Sequence, residues 1–529
     1  MSLFAQPTAP RLIPDIPASW LRALALALTA VLLLLTPASA GLLGTIATDR
    51  AGADGTDEPT TGAPEQLTVV DPEQVVGVEE HTEATEQDGV EVEVAYPMIP
   101  GATALETRLE ETVEQTVTDF ALAHPGAEQI TVDWEIIAAA NDVIGIRLIT
   151  EETGVRMTME EADSTSPGDD PQPRPSFETV WYDAAEGHVA KATELLDDQE
   201  AFEALVAIVA DGLADVDELD VDSEHIVAVA HLFRSMGFNG DGDLVVEFAA
   251  GAIAAAESGR VYSVVEEEEA EPLLSDLGSR AAAAATTVDE EFAVSQHDPV
   301  SLAGNPDDIP GQYPQPTTPV NCEDNETQCV ALTFDDGPGD GTPDLLDTLA
   351  EYDAHATFFL TGQPVREHIP TVRRQYAEGH ELANHTMTHP NLTELSTEDV
   401  QAETEPLQAL LRREVGRTPD LMRPPYGATD DEVAEVMQEA GMAEIMWSVD
   451  TLDWEDRDAD VVAERAIDGA TDGSIILFHD IHSTTVEAVP EILAELQEEG
   501  YTLVTVTEML GVTEPGEDYW DGTGEYEGF

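Results

Sequence analysis

The side chains best suited to chemistry are two adjacent carboxylates, Asp335 and Asp336, in the stretch 333–338 (TFDDGP). An apolar run over residues 330–334 stops there and a Gly-Pro turn follows, which is how a strand delivers acids to an active site. Four further polar clusters follow in order, at residues 385–390, 423–427 (RPPYG), 450–454 and 477–480 (LFHD). The chain therefore carries the side chains of an acid–base or metal site.

Asp336, His385 and His389 form a candidate metal site. The two histidines are four residues apart, and the carboxylate comes from a distant strand end. Three protein ligands leave an open position for water or a substrate oxygen, as in catalytic zinc sites. Zinc suits this ligand set, with cobalt or another first-row ion as the alternative. A histidine pair alone would indicate a surface coincidence, so the prediction depends on Asp336 and the other clusters.

Asp335 is predicted to be a base rather than a metal ligand. Adjacent side chains at a strand end diverge, so Asp335 does not share an ion with Asp336 and is free to accept a proton. The pair also fits glycosidase chemistry badly, because neighbours on one strand cannot flank a glycosidic bond.

Alternating strands and helices must position these clusters. Strands are predicted at 330–334, 356–360, 381–383, 420–422, 444–448, 474–478 and 502–506. Helices are predicted to begin near Thr342, Ser396, Thr429 and Thr484, with Thr342 as a cap and Pro343 at the first helical position. This pattern predicts an α/β fold, an irregular β/α barrel of about seven strands. All five clusters lie at or just after a strand's C-terminal end, the face that carries the chemistry in such barrels.

The order and spacing of the five clusters resemble those of the polysaccharide deacetylases of the NodB-homology type, carbohydrate esterase family four. The resemblance covers residues 330–509 and includes every position that carries chemistry. It implies a metal-dependent hydrolase that removes acetyl groups from N-acetylglucosamine in an extracellular glycan, with peptidoglycan as the expected substrate. Chitin oligomers and O-acetylated xylan are the alternatives within the same chemistry.

The resemblance also implies roles for individual residues. Asp335 takes a proton from the water that attacks the acetamide carbonyl, and Arg423 pairs with Asp335 and keeps it ionised. The metal and the backbone N–H of Tyr426 stabilise the oxyanion, and Tyr426 also contacts substrate.

His479 is expected to protonate the leaving nitrogen, with Asp453 holding its imidazole. Asp453 is preferred to Asp450 because it precedes Trp454, as in the family motif. Trp454 offers a flat face to a sugar ring, with core packing as the alternative. Leu477 is a substrate contact by resemblance only.

The N-terminal segment has the three parts of a secretory signal peptide. Arg11 and Arg22 precede an apolar run at 23–35, and an A-x-A site predicts cleavage after Ala40. If it is left uncut, the uncharged stretch at 23–47 could anchor the chain in a membrane. Either way the chain is expected outside the cytoplasm, secreted or anchored to the outer face of the cytoplasmic membrane. There, Cys322 and Cys329 are expected to form a disulfide rather than remain free thiols.

The chain is expected to contain two folded domains. A leader at 1–40, a disordered acidic spacer at 41–89 and an α+β domain at 90–274 come first. A Pro-rich linker at 275–323, the deacetylase domain at 324–510 and an acidic tail at 511–529 follow.

The α+β domain carries the stretches 179–183 and 192–196, which resemble the extracytoplasmic module of RsiV-type sensor proteins. This implies an accessory role in wall or protein contact, with a mere spacer as the alternative. In a second class of function, the protein would be a non-catalytic wall-binding or sensor protein whose barrel only grips glycan. The intact acid, base and metal set argues against that class.

The net charge is extreme. The chain has 110 Asp and Glu residues but only 20 Lys and Arg residues, for a net charge of −90. Such a charge disfavours nucleic acid as a partner. Self-repulsion weakens the compact state, but the Debye length falls to about 3 Å at 1 M salt. The composition therefore predicts adaptation to high salt, with an ordinary acidic secreted protein as the alternative.

We predict that the melting temperature rises between low and molar NaCl, because salt screens the repulsion among carboxylates. A thermal unfolding series across NaCl concentrations measures this. A melting temperature that does not move over that range would contradict salt adaptation.

Overall fold

The computed structural model describes residues 66–522, apart from residue 88 and the segments 156–172, 215, 217–220, 222–225, 288–291, 293–308, 312–319, 321 and 323–326. The predicted leader at 1–40 and the candidate anchor at 23–47 lie outside the described residues. Within the described part of the chain, no helix combines the length and the apolar character needed to cross a membrane.

The first half of the described chain is an α+β domain with two sheets. The larger sheet contains β1 (Glu79–Gln87), β2 (Val90–Met98), β3 (Gln129–Ala140), β4 (Val143–Thr153), β5 (Arg174–Asp183) and β6 (His188–Lys191) in that order. All neighbours are antiparallel except β2 and β3. The smaller sheet is an antiparallel meander of β7 (Ser235–Phe238), β8 (Leu244–Phe248) and β9 (Val261–Val265).

Four helices accompany these sheets: α1 (Thr103–Ala123), α2 (Gln199–Ala214), α3 (Glu267–Ala270) and α4 (Asp276–Thr286). Helix α1 makes the crossover between the parallel strands β2 and β3. It buries Leu105, Leu109, Val113 and Val117, which recur every four residues on one face.

The domain extends further at both ends than the sequence predicted. The spacer predicted for residues 41–89 was wrong over β1. Eight of the nine β1 residues are exposed, so no apolar alternation marks a strand that is held by backbone pairing to β2. The linker predicted from residue 275 was wrong over α4, whose buried face consists of alanine and glycine. A Cβ at Gly278 would lie 2.0 Å from the Leu195 carbonyl oxygen, so only glycine allows this close packing.

The second half of the chain is a curled parallel sheet. Its strands are β10 (Gln328–Asp335), β11 (Thr357–Leu360), β12 (Glu381–Asn384), β13 (Leu421–Met422), β14 (Ala443–Ile445), β15 (Val449–Asp450), β16 (Ser474–His479), β17 (Tyr501–Val504) and β18 (Asp518–Tyr519). The order is β15-β16-β10-β11-β12-β13-β14-β18, with β17 paired to β10. Only three residues separate β14 from β15, yet these strands pair with β13 and β16 respectively. The sheet is therefore strongly curled, in agreement with the predicted irregular β/α barrel.

Helices connect these strands: α5 (Thr342–Glu351), α6 (Gly362–Glu367), α7 (Ile369–Ala377), α8 (Thr397–Val415), α9 (Asp431–Ala440), α10 (Asp453–Asp456), α11 (Ala459–Gly469), α12 (Ser483–Glu499) and α13 (Val506–Leu510). The cap predicted at Thr342 was wrong. Gly341 precedes α5 without a side-chain cap, and the Thr342 hydroxyl bonds instead to the buried Asp480 carboxylate.

The chain around the barrel is more ordered than predicted. The tail predicted from residue 511 was wrong over β18, which pairs with β14. That strand is two residues long, too short for a periodic signal. The predicted disulfide between Cys322 and Cys329 is present, and it joins the segment before β10 to the second residue of that strand.

Helix α8 connects the two halves of the described chain. Nη2 of Arg412 lies 2.6 Å from Oδ1 of Asp119 in α1, and Nη2 of Arg413 lies 2.7 Å from Oε1 of Glu152 in β4. Both carboxylates are buried, so the guanidinium groups replace the water those acids would otherwise need. The α+β domain is therefore packed on the barrel through charged contacts to one helix.

Candidate active site

The C-terminal ends of the barrel strands bring the polar clusters together. Asp335 ends β10 and His479 ends β16, and the two residues are direct partners in the parallel register. His385 follows β12, and Arg423 follows β13. Because parallel strands end at the same edge of a sheet, side chains far apart in sequence meet there.

Asp336, His385 and His389 are placed as a metal-ligand set. One possible ligand atom from each lies within 4.8 Å of the others. Oδ1 of Asp336 is 3.3 Å from Nε2 of His389 and 3.6 Å from Nε2 of His385. These imidazole and carboxylate donors fit a divalent ion with an open coordination position.

A second contact prepares His385 for this role. Its Nδ1 lies 2.6 Å from the Arg423 carbonyl oxygen, so Nδ1–H donates there and the Nε2 lone pair remains for an ion. Burial lowers the pKa of His385 to about 3. The ring is therefore neutral at ordinary pH, the form that binds metals.

Asp335 is buried beside the metal-ligand set and is hydrogen-bonded to Arg423. The Asp335 side chain is 3% exposed, and its Oδ1 accepts a 2.7 Å hydrogen bond from Nη1 of Arg423. Burial raises the pKa of Asp335 above its usual value, and the guanidinium opposes that rise. Oδ2 of Asp335 lies 3.8 Å from Nε2 of His385, so this carboxylate is directly beside the ligand set.

His479 forms the second acid–base unit with Asp453. Nδ1 of His479 is 2.8 Å from Oδ1 of Asp453, and the His479 backbone N–H donates to Oδ2 at 2.7 Å. The Thr485 hydroxyl also donates to Oδ2, at 2.7 Å. Burial alone would lower the pKa of His479, but the Asp453 hydrogen bond and the Asp335 charge raise it to about 9. The pKa of Asp453 is lowered, because the hydrogen bonds from His479 and Thr485 outweigh its burial.

The two aromatic residues predicted at the site are exposed. Tyr426 is 70% exposed and its ring centroid is 4.7 Å from that of His389. Trp454 is 48% exposed, so the alternative that it packs in the core was wrong. Leu477 is only 4% exposed, so a substrate contact there would use very little surface.

Several non-glycine residues of the site have left-handed backbone conformations. Asp336, His389, Tyr426 and Leu452 have φ values of 72°, 60°, 64° and 52°. Such conformations cost free energy and persist where the surrounding structure determines them, often at functional sites. Here they bend the chain just after the strands and aim the ligand and aromatic residues.

Other acids near the site have different partners. Oδ1 of Asp450 accepts a 2.8 Å bond from the Leu452 backbone N–H, so the carboxylate that contacts His479 is that of Asp453. Asp480, next to His479, is buried, and its carboxylate accepts from the Thr342 hydroxyl.

Sequence reasoning missed two hydroxyl groups. Thr485 bonds to Asp453, and Thr333 accepts from Nη1 of Arg423 at 2.8 Å. A single threonine has no characteristic spacing. For Thr333 the available signal was its position two residues before Asp335.

Comparison with known proteins shows which family the chain belongs to. The family model for polysaccharide deacetylase matches residues 323–445. A peptidoglycan-N-acetylglucosamine deacetylase of Listeria monocytogenes is 43% identical over 196 residues, which are 37% of this chain and 41% of that protein. The chain thus spans about two fifths of the length of this relative.

Two further proteins match a similar share of the chain. A peptidoglycan-N-acetylglucosamine deacetylase of Bacillus cereus is 37% identical over 203 residues, which cover 37% of this chain and 95% of that protein. The solved structure of the peptidoglycan deacetylase PdaC from Bacillus subtilis is 39% identical and covers 35% of this chain and 91% of that one, with a TM-score of 0.34. The match to nearly the whole Bacillus cereus protein establishes the relationship, and the chain belongs to the polysaccharide deacetylase family.

Proposed function

We propose that this protein removes acetyl groups from N-acetylglucosamine residues of peptidoglycan, outside the cytoplasmic membrane. The observation that carries the proposal is the meeting of three units at one sheet edge. These units are the metal-ligand set, the Asp335–Arg423 pair and the His479–Asp453 pair. The names of the relatives from Listeria and Bacillus cereus support peptidoglycan as the substrate.

Each pair has a distinct task in amide hydrolysis. Asp335, held ionised by Arg423 beside the ligand set, accepts a proton from the attacking water. His479 keeps Nδ1 on Asp453, so its Nε2 donates the proton that turns the amine into a leaving group. The backbone N–H of Tyr426 is the proposed donor to the oxyanion.

Asp336, His385 and His389 are the residues that would hold a divalent ion, with zinc as the proposed metal. When bound, such an ion polarises an acyl oxygen and increases the acidity of water. The exposed Trp454 and Tyr426 offer aromatic surface to a sugar ring, and Leu477 adds the small contact that its burial allows.

Acetate release by the full chain at high salt, with added zinc and after chelation, tests the function. N-acetylated peptidoglycan, chitin oligomers and O-acetylated xylan serve as parallel substrates. We expect zinc-dependent acetate from peptidoglycan. Release from chitin oligomers or xylan alone would overturn the assignment of peptidoglycan as the substrate. No release from any glycan would favour a wall-binding or sensor protein.

Asp335→Asn is expected to lower kcat by about 10²- to 10⁴-fold, because amide nitrogen and oxygen cannot serve as the base. Metal content, measured by elemental analysis, should remain at the wild-type level. His385→Ala should lose both metal and activity. Asp450→Asn is the matched control, since Asp450 ends a neighbouring strand without touching the acid–base pairs, and it should change kcat little. Wild-type activity in Asp335→Asn would refute the role of this carboxylate.

The kcat/KM profile is expected to fall at alkaline pH with an apparent pKa of about 9. Protonated His479 is the acid, so activity is present below its pKa and is lost as pH rises through it. Asp453→Asn removes the charge that favours the imidazolium, so the residual activity should fall at a lower pH. An alkaline limb at the same pH in this variant would show that another group titrates.

A further inference from the structure

A cavity of about 130 Å³ lies where the α+β domain meets the C-terminal end of α8. Its walls come from α1, β5, β6 and the segments 192–193 and 230–234, together with Val415 and Gly416. None of the active-site residues lines it. A cavity of this size has room for several water molecules or one small anion.

The lining of this cavity is positively charged. Its lining includes Arg108, Lys191 and Arg234 and one acid, Glu178, and Nε of Arg108 also lies 3.9 Å from Oε2 of Glu111 outside the lining. The chain as a whole has 20 basic residues against 110 acidic ones, and Lys191 is its single lysine. In so acidic a chain, a random set of lining residues would be mostly acidic. The excess of cations in this cavity is therefore not a consequence of the overall composition.

Arg234 lacks an ion pair in this cavity. None of the described carboxylates lies within 4.0 Å of its guanidinium nitrogens, and Nη1 contacts Nε2 of His231 at 3.0 Å. Burial lowers the pKa of both Arg234 and His231. The Glu178 charge acts on Arg234 from a distance, but no carboxylate is bonded to the desolvated guanidinium. An anion that enters the cavity and bonds to Arg234 would therefore be stabilised.

A second polar group in the cavity also lacks a partner. Thr193 is 1% exposed, and its hydroxyl makes no hydrogen bond to any described residue. The neighbouring Thr179 hydroxyl is already bonded to the Met236 carbonyl. Buried hydroxyls are almost always hydrogen-bonded, so the Thr193 hydroxyl is an unused hydrogen-bonding group in the wall of the cavity.

We propose that this cavity binds a small oxyanion, a carboxylate or phosphate group. Arg234 and Thr193 bind its oxygens, and Lys191 and Arg108 provide positive charge. A guanidinium presents parallel N–H groups that match either oxyanion. Since Val415 and Gly416 belong to the barrel and the cations belong to the α+β domain, a bound anion would lie at the junction between them.

The test is thermal unfolding of the full, metal-loaded chain at constant ionic strength, with NaCl replaced stepwise by sodium formate or sodium phosphate. Constant ionic strength removes screening as a variable. A ligand that binds only the folded state raises the melting temperature saturably. We expect such a rise with formate, phosphate or both, and the two titrations distinguish a carboxylate from a phosphate site.

Variants test whether the rise in melting temperature comes from this cavity. Arg234→Gln and Thr193→Val should each abolish the rise, whereas Arg417→Gln, which removes a nearby charge that does not line the cavity, should retain it. If Arg234→Gln does not fold, Thr193→Val decides alone, because it removes only the hydroxyl. No rise beyond that in chloride, or an undiminished rise in Thr193→Val, would overturn the proposal. These readouts do not depend on deacetylation.

Discussion

The buried guanidinium of Arg423 is the contact on which the geometry of the site depends. The residue is 0% exposed, and its side chain donates to Oδ1 of Asp335 (2.7 Å), Oγ1 of Thr333 (2.8 Å) and the carbonyl oxygens of Ile445 (2.8 Å) and Met446 (2.8 Å). Its own carbonyl accepts from His385. Burying a charge costs several kcal/mol unless good hydrogen bonds compensate for it. One residue thereby sets the position of the proposed base and of a metal ligand at once.

Packing beneath the site keeps the strand ends in register. The Phe334 ring stacks on those of Phe358 and Phe478, at centroid distances of 5.3 and 5.4 Å. These residues lie on three adjacent strands, one position before Asp335 and His479 on two of them. The aromatic layer therefore opposes sliding of the strands that would separate the two acid–base units.

Helix α8 extends this support to the other domain. Its Glu403 carboxylate accepts from the backbone N–H and hydroxyl of Thr388, next to His389. Between two and three turns later, Arg412 and Arg413 bind acids of the α+β domain. The metal-ligand loop and the domain junction thus share one rigid element, so the α+β domain is not an independent body tethered by a linker.

The sequence predicted those elements and site residues that have a characteristic residue type and spacing. All seven predicted barrel strands occur, because apolar runs between capped helices specify buried parallel strands. The strands β15 and β18 were missed because two residues carry no period, and β1 because both its faces meet water. Helix α4 was missed because alanine and glycine make its buried face. At the site, the Asp and His clusters converge as expected, whereas the hydroxyls of Thr333 and Thr485 carry no recognisable pattern.

The most direct test of the central role of Arg423 is the kcat of Arg423→Lys in the folded, metal-loaded protein. Lysine keeps the positive charge but not the planar fork that reaches Asp335, Thr333 and the two carbonyls. If Arg423 has this role, kcat should fall by at least about 10²-fold, since the proposed base is no longer held. Near wild-type kcat would contradict it and show that a point charge beside Asp335 suffices.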